Sequence, residues 1–193
     1  PNKHHTFGAI RRNQLYAYSD ASYLPRELEE KSLCRGGDQH YVNGMLIMND
    51  ASVIKEVCLS ATECEYRQLA RCVQRATYLR MFLAEIGEPQ DGPTLIAEDN
   101  SAAIQIAENP GRHKSRTKHI SVKAHFIQQK CEENEIQLSY TRTDDMTADA
   151  NTKALSYVKL AKFASEMTGQ VFPEPEPSKL SYTKGGEKRK AES

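Results

Sequence analysis

Short segments near the start of the chain alternate apolar and polar residues, as half-buried β-strands do. The alternation predicts strands over residues 15–22, 40–48 and 52–60, with a turn at Asn49 and Asp50 between the second and the third. Three short strands at this spacing are typical of an antiparallel meander.

Beyond residue 60 the apolar residues recur at helical spacing. Ser60 followed by Glu63 matches a capping box, which predicts a long helix over 61–86 that ends at Gly87. Further helices are predicted over 101–109, over about 120–133 and from about Asp145, and further strands over 94–99 and 135–142. The order βββαβα(α)βα predicts an α/β fold of ribonuclease H type, a mixed five-stranded sheet flanked by helices.

Composition divides the chain into three parts. Residues 14–167 hold the periodic pattern and are predicted to form one domain. Residues 1–13 are polar and basic, which favours a connector from an upstream domain. Residues 168–193 are rich in Pro, Glu, Lys and Gly and hold too few apolar side chains to offset the entropy cost of ordering them, so a disordered, charged tail is predicted.

The overall composition excludes several classes of protein. With 193 residues, of which 38% are hydrophobic, the chain can bury one compact core, and no apolar run reaches the roughly 18 residues of a membrane helix. Twenty-six basic residues balance 26 acidic ones, so affinity for nucleic acid has to come from local clusters. Five cysteines without a Cys-x-x-Cys pair favour reduced thiols in a cytosolic or nuclear protein over a zinc site or a disulfide framework.

Four acids on four different predicted elements are candidates for one site: Asp20, Glu65, Asp99 and Asp149. Three of them also have an ordinary explanation. Asp20 ends the first strand, where an acid commonly faces water. Asp99 is a possible N-cap of the helix that starts at Ser101. Asp149 lies four residues before Lys153, the spacing of an exposed helical ion pair.

Two pairs of nearby acids require a choice. At about 100° per residue, Glu63 and Glu65 point about 200° apart, so one of them faces the sheet. Glu63 is explained by the capping box, whereas Glu65 lies in line with Leu69 and the rest of the apolar stripe, which favours Glu65 as the functional acid. Glu98 is expected to point to the opposite face of the strand from its neighbour Asp99.

The predicted topology allows all four acids to meet at one end of the sheet. Clustered carboxylates repel each other strongly unless cations neutralise them, and no cationic side-chain partner is evident from the sequence. A site made of oxygen ligands favours Mg²⁺ or Mn²⁺ over zinc. Two such ions together can activate a water molecule and stabilise the leaving oxygen at a phosphodiester.

Five blocks of the sequence match a known family: YSDAS (18–22), SATECEYRQLA (60–70), EDNSAAIQIAENP (98–110), RTKHI (116–120) and TADANTKAL (147–155). They resemble the ribonuclease H domain of copia-class LTR retrotransposon Pol polyproteins. The resemblance covers about residues 14–155, and the blocks stand in the order and at the spacing of that family.

The resemblance implies a metal-dependent endonuclease that hydrolyses the RNA strand of RNA·DNA hybrids during reverse transcription. It implies two Mg²⁺ ions, for which Mn²⁺ can substitute, and it places the catalytic and metal-binding acids on Asp20, Glu65, Asp99 and Asp149. The implied partners are the hybrid and a reverse transcriptase domain upstream in the same polyprotein. The implied location is a virus-like particle in the cytoplasm, the nucleus, or both.

A basic stretch is the candidate substrate-binding surface. No acid lies between Glu108 and Glu132, whereas six cations do: Arg112, Lys114, Arg116, Lys118, Lys123 and Lys130. The stretch is interpreted as a platform for hybrid phosphates, to which His119 adds a further contact, or as a solvated basic face. The short polar side chains of Ser22, Asn100 and Ser101 flank the acids and are candidates for sensing 2′-hydroxyls, or they are turn and cap residues.

Two other functions remain open from the sequence. A catalytically inactive relative would only bind hybrid or brace a polymerase, and the presence of all four acids disfavours it. An integrase or transposase of the same fold typically places its Glu after both Asps. Here Glu65 precedes Asp99, which disfavours that class.

Overall fold

The computed structural model describes residues 13–24, 33–108 and 118–169. The strands are β1 (Leu15–Leu24), β2 (Leu33–Val42), β3 (Met45–Ile54), β4 (Thr94–Glu98) and β5 (Ile136–Tyr140). The helices are α1 (Ala61–Glu85), α2 (Ser101–Glu108), α3 (Lys118–Glu132), α4 (Asp149–Thr152) and α5 (Tyr157–Thr168).

One mixed sheet joins the five strands in the order β3-β2-β1-β4-β5. The first three strands pair antiparallel, as a meander does, and β4 then lies parallel to both β1 and β5. The predicted fold class is therefore confirmed. Since β1 and β4 are parallel neighbours in the register Tyr18 to Ala97, β4 ends beside the middle of β1, and the residue after β4 lies near Asp20.

The hairpin between β2 and β3 differs from the prediction. The turn lies at Asn43 and Gly44, both with positive φ (54° and 81°), and not at Asn49 and Asp50, which pair within the ladder of β2 and β3. An Asn-Gly pair adopts positive φ at little cost and is the stronger hairpin signal. The predicted bounds 40–48 and 52–60 were therefore wrong, although the antiparallel meander of three strands is confirmed.

Each face of the sheet has its own core. On one face, Ala17 and Ile96 pack against Leu69 and Val73 of α1 and against α2 and α3. On the other face, three tyrosines of β1 and β2 pack with Ala97, Met146 and Ala148: Tyr16, Tyr18 and Tyr41. Alternation along β1 sends Leu15 and Ala17 to the first core and Tyr16 and Tyr18 to the second.

The predicted start and end of α1 are confirmed. Ser60 is the N-cap, and its hydroxyl accepts a hydrogen bond from the Glu63 N–H at 3.1 Å. The Glu63 carboxylate accepts from the Leu59 N–H at 2.9 Å. Gly87 follows the helix at a φ of 86°. The whole helix lies across the first face of the sheet.

The end of the chain differs from the single helix predicted from Asp145. A 3₁₀ turn covers Thr143–Asp145, α4 is one turn long, and α5 starts after Ser156, whose hydroxyl accepts from the Lys159 N–H. Lys153 between the two helices is extended, at a φ of −126°. The break allows α4 and α5 to approach the sheet at separate points.

Gly37 permits α4 to lie directly against β2. A Cβ atom at this position would overlap the side chain of Asn151 and would lie 3.2 Å from Thr152. Asn151 also donates hydrogen bonds to Asn49 and to the backbone of Asp50 on β3, at 2.6 and 2.9 Å. Glycine is therefore required where α4 is held in place.

The expectation of reduced thiols was wrong for two cysteines. Cys34 on β2 and Cys64 on α1 form a disulfide across 30 positions of sequence. The thiol of Cys58 lies beside it, with all three sulfur atoms within 4.8 Å of one another, whereas Cys72 and Cys131 stand apart from this cluster as thiols. Neither the number of cysteines nor their spacing in the sequence shows that Cys34 and Cys64 lie close together in the fold.

The two ends predicted to lie outside the domain fall almost entirely outside the described residues. The last described helix, α5, ends at Gly169, which has a φ of 69° and caps it in the left-handed conformation. Within the part of the chain that the structure describes, no helix combines the length and the apolar content needed to cross a bilayer.

Candidate active site

Three aspartates from three elements meet where β4 ends beside the middle of β1. Asp20 lies on β1, Asp99 directly follows β4, and Asp149 begins α4. One carboxylate oxygen of each lies within 4.8 Å of the others. Asp20 and Asp149 are buried, at 0% and 1% exposure, and Asp99 is half-buried. The structure thus brings three of the four predicted acids into one cluster.

The fourth predicted acid, Glu65, belongs to a second and overlapping group. Its carboxylate, that of Asp99 and that of Glu98 come within 4.8 Å of one another. Asp99 is common to both groups, so the five acids form one continuous site. Glu65 lies on α1, on the opposite face of the sheet from α4, and reaches the site at the sheet edge.

Glu98 was not among the predicted site residues, but the structure places it beside Glu65 and Asp99. The alternation argument itself holds, since Glu98 extends from β4 toward α1 and away from the face of Asp20. However, α1 is the helix that supplies Glu65, so the two glutamates face each other. Glu98 is completely buried, and its Oε2 atom has no hydrogen-bond partner among the described residues.

Neighbouring groups orient the carboxylates. The Ala21 N–H donates to Glu65 Oε2 at 2.7 Å, which joins α1 to the end of β1. The Thr143 hydroxyl donates to Asp99 Oδ2 at 2.8 Å, and the Thr152 hydroxyl donates to Asp20. The acids are therefore held by short polar contacts from surrounding backbone and threonine side chains.

Two lysines neutralise one side of the cluster. Lys153 Nζ lies 3.0 Å from Asp20 Oδ1 and 2.6 Å from Asp149 Oδ1, and Lys159 Nζ lies 2.9 Å from Asp149 Oδ2. The expectation that Asp20 has no cationic partner was therefore wrong. The pair of Asp149 with Lys153 forms, but its carboxylate is buried rather than exposed as the helical spacing suggested.

Electrostatics keep part of the cluster protonated in the absence of a cation. Burial, opposed by Lys153, raises the pKa of Asp20 from 3.8 to about 6. Burial and then the charges of Asp20 and Asp99 raise the pKa of Glu65 from 4.5 to about 9. Burial and the neighbouring Glu65 raise the pKa of Glu98 well above its ordinary value. Such shifts are common where acids are gathered to bind a cation.

Glu63 takes no part in the site. Its carboxylate lies 2.7 Å from Arg67 on the same helix, in addition to its bond at the helix start. Helical phase thus separates Glu63 from Glu65 as predicted.

The candidate substrate contacts are only partly described. Asn100 Oδ1 accepts from the N–H groups of Ala102 and Ala103, so Asn100 rather than Asp99 caps α2. Ser101 is exposed and Ser22 is half-buried.

The basic stretch mostly lies outside the described residues. Arg112, Lys114 and Arg116 fall there, and so do the side chains of Lys118 and His119, which begin α3. Two further cations of the stretch are paired: Lys123 lies 3.2 Å from Glu56, and Lys130 lies 2.7 Å from Glu133 and 3.0 Å from Glu135. The expectation of six uncompensated cations was wrong for these two.

Sequence comparison finds retrovirus-related Pol polyproteins. Those of transposons RE1 and RE2 of Arabidopsis thaliana are each 31% identical over 79% of this chain, and that of transposon TNT 1-94 of Nicotiana tabacum is 29% identical over 66%. The chain spans 10% of the length of the RE1 and RE2 polyproteins. No protein-family profile matches the chain.

Structure comparison finds ribonucleases H. LC11-RNase H1, isolated from compost by a metagenomic approach and crystallised with an RNA/DNA hybrid, superposes with a TM-score of 0.52 at 15% identity, over 72% of this chain and 93% of its own. The prototype foamy virus protease–reverse transcriptase gives a TM-score of 0.52 at 12% identity, over 71% of this chain and 19% of its own. At this identity the likeness shows the fold.

Proposed function

Since the chain belongs to the ribonuclease H domains of retrovirus-related Pol polyproteins, we propose that it is a divalent-metal-dependent endonuclease that cuts the RNA strand of RNA·DNA hybrids during reverse transcription. The observation that carries the proposal is the convergence of acids from β1, α1, the end of β4 and α4 on one sheet edge. Burying this many carboxylates together is costly unless the site binds cations.

The residues present fit magnesium or manganese. The donor set consists of carboxylate oxygens, and Glu98 Oε2 is buried without a protein partner among the described residues. Asp20, Glu65, Asp99 and Asp149 are the residues that would hold two Mg²⁺ ions, with Mn²⁺ as a substitute. Bound there, such ions would polarise the scissile phosphate and lower the pKa of an attacking water.

The chain itself supplies orientation and charge balance. Thr143 and the Ala21 N–H each donate a hydrogen bond to one carboxylate oxygen, of Asp99 and of Glu65 respectively, and so fix the orientation of these side chains. Lys153 spreads positive charge over Asp20 and Asp149 before a cation arrives. A preorganised site of this kind has little to rearrange during the reaction.

The proposed substrate is the RNA·DNA hybrid. LC11-RNase H1, which shares the fold, was crystallised with such a hybrid. In this chain, Arg112, Lys114, Arg116, Lys118 and His119 are proposed to contact hybrid phosphates, and Ser22, Asn100 and Ser101 to lie near the 2′-hydroxyls. Because Asn100 Oδ1 already caps α2, its free donor group is the part proposed to contact substrate.

The proposed partner is a reverse transcriptase domain upstream in the same polyprotein. The relatives are Pol polyproteins about ten times longer than the matched region, and the foamy virus neighbour is a protease–reverse transcriptase. The copia class of the element, and a location in cytoplasmic virus-like particles or the nucleus, belong to the same proposal. Residues 1–13 are proposed as the connector and residues 168–193 as a disordered tail.

The test is cleavage of a labelled RNA·DNA hybrid. The wild-type chain is expected to cut the RNA strand with Mg²⁺ or Mn²⁺ and not with EDTA, and to leave the DNA strand intact. Asp99→Asn is expected to abolish cleavage while the protein stays folded, and Glu63→Gln serves as the matched acid outside the site. A wild-type chain that binds hybrid and never cuts it would show a non-catalytic binding module instead.

A further inference from the structure

We propose that Glu98 is a fifth carboxylate of the metal centre and binds a divalent cation together with Glu65 and Asp99. The inference rests on the proposed function and extends its four acids by one. Its geometric basis is the second group of acids, in which one oxygen from each of these three residues lies within 4.8 Å of the others.

The side chain of Glu98 is placed for ligation and not for packing. It is completely buried at the end of β4, where the Thr141 N–H donates to its backbone carbonyl at 3.0 Å and anchors the strand end. Glu98 Oε1 accepts a bond of 3.3 Å from the Asn100 N–H, and Oε2 has no partner among the described residues. A buried carboxylate oxygen without a partner costs about 1–3 kcal/mol or more, so a ligand is expected there.

The distribution of positive charge indicates where a cation is needed. Lys153 and Lys159 contact Asp20 and Asp149 on the side of α4. Among the described residues, no lysine, arginine or histidine forms an ion pair with Glu65, Glu98 or Asp99. This second trio therefore forms no ion pair within the described part of the chain, and a divalent ion bound there would supply the positive charge that favours its ionised form.

A purely structural role for Glu98 makes a different prediction. A neutral glutamic acid that only fills space beside Glu65 would be replaced by glutamine with little consequence, because glutamine has nearly the same shape. If Glu98 is a metal ligand, glutamine cannot take over its role, because the amide carries no charge and binds Mg²⁺ or Mn²⁺ far more weakly than a carboxylate does. Metal binding measured without nucleic acid separates the two roles.

To test this, the full chain is titrated with Mn²⁺, and the number and affinity of the bound ions are measured by calorimetry and by electron paramagnetic resonance. The variants are Glu98→Gln, Asp99→Asn and, as a matched acid on the same helix as Glu65 but outside the cluster, Glu63→Gln. Wild type and Glu63→Gln are expected to bind two ions. Glu98→Gln is expected to lose one ion or to bind it at least about tenfold more weakly, while its melting temperature in EDTA equals or exceeds that of wild type.

The outcomes separate this inference from the proposed function. If Glu98→Gln binds both ions as wild type does while Asp99→Asn loses one, Glu98 is no ligand and the proposed function stands. If both variants bind as wild type, or wild type binds no ion, the metal site itself is refuted. Should Glu98→Gln not fold, Glu98→Asp carries the test: weaker binding of one ion supports ligation, and unchanged binding overturns it.

Discussion

Lys153 Nζ lies 2.6 Å from Asp149 Oδ1, within the acid cluster. The same ammonium lies 3.0 Å from Asp20. Burial by itself lowers the pKa of Lys153, but the two carboxylates outweigh it and raise the pKa above its ordinary value. The lysine is therefore charged at neutral pH, and a cation that binds Asp20 and Asp149 has to compete with it.

Removal of this lysine is expected to destabilise the metal-free protein. Lys153→Met leaves the buried Asp20 without its cation and Asp149 with Lys159 alone, which we expect to lower the free energy of unfolding in EDTA by about 1–3 kcal/mol. Excess Mg²⁺ should restore more stability to this variant than to wild type. Lys162→Met is the control, because its pair with Asp145 is exposed and worth about 0–1 kcal/mol. Equal losses in urea unfolding of both variants would contradict the role of Lys153.

The two acids at the start of α1 are expected to differ in effect. Glu65→Gln removes a metal-binding charge and should lower the rate of hybrid cleavage by at least about 100-fold. Glu63→Gln keeps a side chain that can accept at the helix start, and it should cost only about 0.3–1 kcal/mol of stability with cleavage little changed. Single-turnover cleavage rates of both variants check this, and similar losses would refute the assignment by helical phase.

Stability of the metal-free protein is expected to fall as pH rises. Folding raises the pKa of Asp20 from 3.8 to about 6 and that of Glu65 from 4.5 to about 9. The folded state thus holds more protons than the unfolded chain between these limits. The contribution to stability is fully present below about pH 4 and is lost as pH rises through 6 and then 9.

Urea midpoints measured in EDTA from pH 5 to pH 9 test this sign. Saturating Mg²⁺ should flatten or reverse the trend at the upper end, because a cation binds the deprotonated acids. Glu65→Gln should reduce the upper part of the fall, to which Glu98 also contributes, and leave the part due to Asp20. A wild-type stability that rises across this range in EDTA would contradict the raised pKa values.

The disulfide is expected to contribute measurably to stability. Cys34–Cys64 joins β2 to α1 one residue before Glu65 and closes a loop of 30 positions. A crosslink of this span contributes about 2–4 kcal/mol, chiefly by restricting the unfolded chain. Dithiothreitol should therefore lower the urea midpoint of wild type and of Cys131→Ser, and should have no effect on Cys34→Ser. The absence of any effect on wild type would show that the crosslink is not stabilising.

The basic residues before and at the start of α3 are expected to bind phosphates without reading sequence. In Ca²⁺, used to suppress cleavage, the Arg116→Ala/Lys118→Ala double variant should bind every hybrid sequence more weakly. The slope of log affinity against log salt concentration should become shallower by roughly two, because binding releases about one counterion fewer for each of the two lost phosphate contacts. An unchanged slope and affinity would show a solvated basic face.

Local sequence signals predicted the elements that depend on near neighbours. The capping box and the terminal glycine of α1 involve residues within one turn of each other, and helical phase separated Glu65 from Glu63 for the same reason. The hairpin was mispredicted although its signal was local. The turn forms at the Asn-Gly pair of residues 43–44. Asn49 and Asp50, where the turn was predicted, are held in extended conformation by strand pairing.

By itself, the sequence determined the fold class and the long helix and predicted four candidate acids on four elements, because periodicity and chain order carry that information. Only the tertiary structure decided which groups approach across elements. In the folded chain, Glu98 lies close to Glu65 of α1, and Lys153 contacts both Asp20 and Asp149. Cys34 lies next to Cys64 and forms a disulfide with it. Alternation assigns a side chain to a face of the sheet, but which charges meet there depends on how a helix distant in sequence packs onto that face.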